Sequence, residues 1–314
     1  MQREAELLEE AFSMVHPKEI DNLTKEQLQA LRESLGVGGG GGLPHMHTGV
    51  SWKRELKVVD YGNSPIDRFS VERSMLPVRE LVREIASTGA IPLIVGGDHS
   101  LEYPDVAGVA DIYGKENVGV IHFDAHYDAA TEGYSGHLIS HAQPIALLIE
   151  EGHVLVQNYI QVGLRGYWPG EDGFEWMREH NFRYHTMVEI ERDGWDAVME
   201  RVIAEANDGP EYLYISLDID VLDPAYASGT GTPEPGGLTT RELFPLIRAL
   251  CTENNMVGFE LVELNPLVDP GYTTVMNANR AVQECLTGIA MRKVGITDGS
   301  YLNPLTVEDD VPDP

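Results

Sequence analysis

Val118-Gly119-Val120-Ile121-His122-Phe123-Asp124-Ala125-His126-Tyr127-Asp128 decides the fold of this chain. Its first half is an apolar run of strand length. Its second half places ligand-type side chains at every other position. Residues two apart on an extended backbone face the same side, so Asp124, His126 and Asp128 converge beyond the strand's end. The design recurs in Tyr212-Leu213-Tyr214-Ile215-Ser216-Leu217, followed by Asp218-Ile219-Asp220, and in Ile91-Pro92-Leu93-Ile94-Val95, followed by Gly96-Gly97-Asp98-His99-Ser100. Taken alone, DxH and DxD arise often by chance, and GGDH reads equally as a tight turn capped by Asp98. Three such pieces, each after an apolar run, predict a parallel α/β sheet with a site at the carboxyl ends of its strands.

The residue types say what the site holds. Four carboxylates gathered at one point repel one another unless cations sit among them. An oxygen-rich set with a few imidazoles suits Mn, Fe, Co or Ni, whereas structural zinc favours Cys and His. The six groups His99, Asp124, His126, Asp128, Asp218 and Asp220 suffice for two ions about 3.5–4 Å apart, the spacing of two-metal hydrolytic sites.

Outward from these motifs, strands are expected at 56–61, 91–96, 118–124, 159–164, 182–186, 212–220 and 256–263. Helices are expected at 71–88, 142–151, 172–180, 193–207, 239–253 and 275–292. Upstream, residues 4–13 and 24–36 read as helices, the second with Thr24 as N-cap and Gln27 placed for a capping box. The run Gly38 to Gly42 forms a joint. The chain therefore divides into an N-terminal helical extension (1–43), a catalytic domain (44–302) and an acidic tail (303–314). The formal charge of −29 arises from 22 basic and 51 acidic residues. It disfavours nucleic acid as a partner. It either attracts a cationic small molecule or serves solubility or life in high salt. Cys251 and Cys285 show no metal or redox spacing and suggest a reducing compartment. There is no signal-peptide pattern, and no apolar run reaches the about 20 residues that span a membrane; a cytoplasmic protein is expected.

GGDHS (96–100), IHFDAHYD (121–128), SLDIDVLDP (216–224), GTGTPEPGGLT (229–239) and FELVELNP (259–266), in this order, resemble the ureohydrolase family of arginases, agmatinases and related guanidino-compound hydrolases. The resemblance runs from about residue 56 to 292. It implies a three-layer α/β/α sandwich around a mainly parallel sheet, assembled as a homotrimer or homohexamer. It implies two divalent ions per chain, Mn2+ first and Ni2+ as the alternative. His99 and Asp128 would bind one ion and His126 and Asp220 the other, with Asp124 and Asp218 bridging. A metal-bridging hydroxide would attack the guanidinium carbon and release urea. His141 stands where the family carries its proton-shuttling histidine, although Ala142 follows it in place of the usual Gly; His137 on the same loop is a second candidate. Glu263 resembles the carboxylate that pairs with the substrate guanidinium. His141, His137 and Glu263 are thus the expected catalytic and substrate-binding residues. His122 reads as a core histidine, and His45 and His47 as surface or pocket lining.

Two departures bear on substrate. The family's sheet begins with a strand and a Gly-rich loop ahead of the strand matching 56–61, and no such strand is visible here. The loop Ala129-Ala130-Thr131-Glu132-Gly133-Tyr134 also lacks the Asn with which arginases hold the amino-acid head of arginine. The missing strand borders the family's substrate pocket and leaves specificity open, whereas the loop favours agmatine, a guanidino acid or guanidine over arginine. Two other readings remain: a non-catalytic partner of an active homologue, and a single-metal amide deacetylase of the same fold. The extra Asp128–Asp220 set argues against the latter.

Overall fold

The structure is a computed structural model and describes residues 42–67, 69–131, 139–167 and 169–306. The expected helices at 4–13 and 24–36 and the end of the acidic tail lie outside the described residues. The described residues of 60–301 form one compact unit, and those of 42–59 and 302–306 belong to another. In the smaller unit the described residues carry one short α-helix, α1 (Trp52–Glu55), and a 3-10 turn (Pro304–Thr306), and the Asn303 N–H donates to the His47 carbonyl at 2.6 Å.

The larger unit is built on a six-stranded parallel sheet: β1 (Leu93–Val95), β2 (Val118–Phe123), β3 (Tyr159–Leu164), β4 (Arg183–Thr186), β5 (Tyr212–Asp218) and β6 (Asn255–Val262), in the order β1-β6-β5-β2-β3-β4. Every pairing is parallel. A parallel sheet must be covered on both faces, and two apolar layers do this. On one face, Ile121, Phe123, Ile215, Leu217, Phe259 and Leu261 meet α6 (Met187–Asp193), α7 (Trp195–Asn207), α8 (Thr240–Glu253) and α9 (Thr273–Lys293). On the other, Val118, Val120, Tyr159 and Tyr214 meet α2 (Val71–Ser87), α3 (Glu102–Tyr113), α4 (Pro144–Glu150) and α5 (Glu171–Glu179). The expected α/β/α sandwich is the observed one.

Local signals place the helices. Ser70 caps α2 by accepting the Arg73 N–H, and Met75, Val78, Val82 and Ala86 form its buried stripe. Thr239 and Glu242 close a capping box at the start of α8. The expected strand at 56–61 is absent: Val58, Val59 and Tyr61 are exposed and join no ladder. An apolar run becomes a strand only when a sheet edge receives it. Conversely, α3 and α6 were not expected. Residues 104–110 of α3 are all buried, so the helix shows no polar face and no helical period. Among the described residues no helix is long and apolar enough to cross a membrane.

Candidate metal centre

The strand order makes the site. β1, β6, β5 and β2 are neighbours, and the motifs that follow them meet at one end of the sheet. After β1 the chain turns through Gly96 (φ 132°) and Gly97 (φ 71°), which suits residues without a Cβ. Asp98 then caps a single 3-10 turn by accepting the Ser100 N–H at 3.0 Å. This turn carries His99 back into the sheet's end, where it is 1% exposed. Asp218 closes β5 in the same way, accepting the Asp220 N–H at 2.7 Å. Gly163 of β3 runs against the Asp124 carbonyl so closely that a Cβ there would sit 2.7 Å from it.

The six expected ligands converge in two groups that share Asp124. His99 Nδ1 lies 2.9 Å from Asp124 Oδ2, 3.3 Å from Asp128 Oδ2 and 3.3 Å from Asp218 Oδ2. His126 Nδ1 lies 3.2 Å from Asp124 Oδ1 and 3.1 Å from Asp220 Oδ2. The two oxygens of Asp124 thus face different imidazoles. His99 Nδ1 is buried, yet none of its three carboxylate neighbours is aligned to hydrogen-bond with it. Donor atoms that crowd one point without bonding one another fit a common cation, and the oxygen-rich set suits a hard or borderline divalent ion. Asp128 holds a positive φ of 43° and Glu263 one of 61°, a strain that marks functional positions.

Electrostatics agree with a site built for cations. Burial pushes the Asp128 carboxyl well above the usual carboxylate range, and the Asp124 charge adds to this. Burial, then the Asp220 and Asp124 charges, do the same to Asp218. Burial alone would lower the His126 pKa; hydrogen bonds to Asp124 and Asp220 override it and push it up to about 11. Without metal, excess negative charge is thus offset by bound protons. Cations entering this cluster would displace such protons.

Glu263 follows β6, where its N–H donates to the Gly97 carbonyl at 3.0 Å and its Oε1 accepts the His99 N–H at 2.9 Å. Its carboxyl thus adjoins the His99 group, and burial raises its pKa. His141 is exposed on the segment that returns after Asp128, where the Ala130 N–H donates to the Ala142 carbonyl at 2.8 Å. Its charge is among those acting on Glu263. His137 lies outside the described residues. His45 and His47 belong to the smaller unit, their rings edge-on at 5.4 Å.

Several participants escaped the sequence reading. His122 is buried as expected, but it is a polar member of the site: its Nε2 is 3.1 Å from Asp124 Oδ2 and its Nδ1 is 3.1 Å from Glu102 Oε2. Glu102, Asp105 and Glu260 are wholly buried below the ligands. Arg165 donates to the carbonyls of Asp220 and Glu234, each at 2.7 Å, and so pins the turn that carries Asp220. One signal was visible, an acid between apolar neighbours in Phe259-Glu260-Leu261; Glu102 and Arg165 gave none.

Comparison with known proteins agrees with this architecture. A profile described as the Arginase family matches residues 29–288. A mitochondrial agmatinase of Gallus gallus is 36% identical over 233 residues, covering 74% of this chain and 67% of that one. A mitochondrial guanidino acid hydrolase of Homo sapiens is 35% identical over 235 residues, covering 74% of this chain and 64% of that one. The chain therefore spans about two thirds of these relatives' lengths. The crystal structure of a hypothetical agmatinase from Burkholderia thailandensis superposes with a TM-score of 0.70 at 29% identity, covering 79% of this chain and 74% of that one. The profile covers most of the chain, and the chain belongs to the arginase family.

Proposed function

We propose that the protein is a two-metal hydrolase that releases urea from a guanidino compound lacking an amino-acid head: agmatine, a guanidino acid or guanidine itself. The observation that carries this reading is His99 Nδ1, buried without an aligned partner amid three carboxylates from two chain segments. His99 and Asp128 serve one ion, His126 and Asp220 the other, and Asp124 and Asp218 serve both. Mn2+ is the first choice of metal and Ni2+ the second. When bound there, divalent ions would lower the pKa of a coordinated water toward neutrality.

The chain's own groups do the rest. Glu263 has one oxygen fixed by the His99 N–H, which aims the carboxylate at a planar cation. Such a cation is matched by charge-assisted hydrogen bonds. Together with the ligands it fixes the guanidinium carbon in place, and correct placement lowers the barrier by avoiding entropy loss at the moment of reaction. His141 protonates the departing nitrogen, a proton transfer that an imidazole can make. The relatives named for agmatine and for guanidino acids support this substrate class. So does Ala130, which offers no side-chain amide beside the site. We take the assembly to be a homotrimer or homohexamer.

The test is urea release from a panel of guanidino compounds, with the protein reconstituted with Mn2+ or Ni2+ and its metal counted. Two ions per chain and urea from agmatine, a guanidino acid or guanidine are expected. A single ion per chain, or no urea from any of them, would refute the reading.

A further inference from the structure

Directly below Asp124 and Asp218 a row of polar side chains crosses the sheet. Glu260, Ser216, His122 and Gln161 are in register on β6, β5, β2 and β3. All four are wholly buried. Strand alternation puts His122 on the side that bears Asp124. Glu102, from the start of α3, meets this row from the helix layer. Tyr159 donates a hydrogen bond to Glu102 Oε1 and lies 3.2 Å from His122 Nδ1. The result is an unbroken buried chain from Tyr159 through Glu102 and His122 to Asp124.

We propose that His122, anchored by Glu102 and Tyr159, is the positioning residue that keeps Asp124 turned so that its two oxygens face two different cations. This rests on the two-metal reading above. A carboxylate acting as ligand only accepts hydrogen bonds, so His122 Nε2 must carry the proton that Asp124 Oδ2 receives at 3.1 Å. The other nitrogen, Nδ1, faces Glu102, which fixes the ring from behind. A second hydrogen bond to the Asp124 carboxylate comes from the His126 N–H, 2.5 Å from Oδ1. With only that bond, the carboxylate can rotate about it. The His122 ring is also stacked on His99, with centroids 4.4 Å apart and planes 5° apart. His99 in turn bonds Ser216 Oγ through Nε2 at 2.8 Å. One buried histidine therefore braces a ligand that serves both ions and a ligand that serves one. Such supporting groups typically contribute about 10–100-fold in metal affinity.

The experiment titrates the metal-free protein with Mn2+, counting bound metal and recording the electron paramagnetic resonance of the coupled pair. His122→Gln keeps an N–H at the place of Nε2. His122→Phe/Glu102→Gln keeps the ring but removes the donor, without leaving a stranded carboxylate. Thermal melting of the metal-free variants establishes that they fold; if the double variant does not, the wholly apolar His122→Leu/Glu102→Met replaces it. We expect the second Mn2+ to bind about 10–100-fold more weakly to the double variant, with the pair spectrum missing at two equivalents, and His122→Gln to stay close to wild type. Unchanged binding by the double variant overturns the inference while leaving the two-metal reading intact. Equal weakening in His122→Gln overturns it too, because the donor would then be irrelevant. Wild type that takes up only one ion overturns both.

Discussion

Glu263→Gln separates charge from shape at the substrate's reacting end. Oε1 already accepts the His99 N–H at 2.9 Å. The glutamine keeps that bond through its own carbonyl oxygen, which forces its NH2 into the place of Oε2. The donors of a guanidinium then meet a donor. Losing a charge-assisted hydrogen bond costs about 1.5–3 kcal/mol, and a buried donor left unsatisfied costs about 1–3 kcal/mol more. A combined loss of about 2.5–6 kcal/mol corresponds to a fall in kcat/KM of roughly seventyfold to 10⁴-fold. The assay is urea release at subsaturating substrate, with metal counted in the same sample. Metal content should not change, because Glu263 lies outside the two ligand groups. The loss should be similar for every guanidino substrate, since all share the group it grips. Loss of metal would make Glu263 a ligand and refute the scheme. A loss confined to one substrate would place Glu263 at the tail of the molecule.

Asp124→Asn and Asp218→Asn should lower both urea release and bound metal by about 10–100-fold or more, since each touches more than one ligand; elemental analysis and the urea assay check this together. His141→Ala should retain both ions and lose about 10²–10⁴-fold in turnover, and a silent result alongside a damaging His137→Ala would move the proton donor to His137. Arginine should show a kcat/KM well below agmatine's, measured side by side. The last prediction concerns stability. Burial would lower the His185 pKa, but Glu205 and Glu189 outweigh it and hold the pKa above its ordinary value. A folded pKa above the unfolded one gives stability that is complete below about pH 6.5 and lost as pH rises through the folded pKa. The stability gap between wild type and His185→Gln, from chemical denaturation, should therefore shrink as pH rises from neutral to alkaline, and a gap that grew would reverse the assignment.

The convergence of the candidate ligands was legible because the two acidic motifs stand at an abrupt change from an apolar run to alternating polar residues, as at Phe123-Asp124 and Leu217-Asp218. Such a boundary is local, so no knowledge of the partner strand is needed. Glu263 and His141 are candidates on the resemblance alone; the structure adds that the His99 N–H donates to the Glu263 carboxylate. What stayed hidden depends on long-range burial. α3 carries its acids Glu102 and Asp105 inward, on a helix without a polar face, so neither its period nor its charges mark it as a helix. His122 looked like a core residue because the partner that makes it polar chemistry, Glu102, comes from another layer. The false strand at 56–61 is the converse case: Val58, Val59 and Tyr61 have strand-like composition and find no ladder. Arg165 binds only carbonyls, and a backbone partner leaves no trace in sequence.

The buried row of Glu260, Ser216, His122 and Gln161 also limits how this chain can drift over generations. A change at one member strands its neighbour as an uncompensated polar group, at about 1–3 kcal/mol, when whole domains are stable by only about 5–15 kcal/mol. Replacement of the same members together removes that penalty, so their effects are not additive. Substitutions here should therefore be tolerated in sets and rejected singly, and the set includes Glu102 and Tyr159 from outside the row. A change at an exposed acid, by contrast, strands no wholly buried neighbour, because water can take the place of the lost partner.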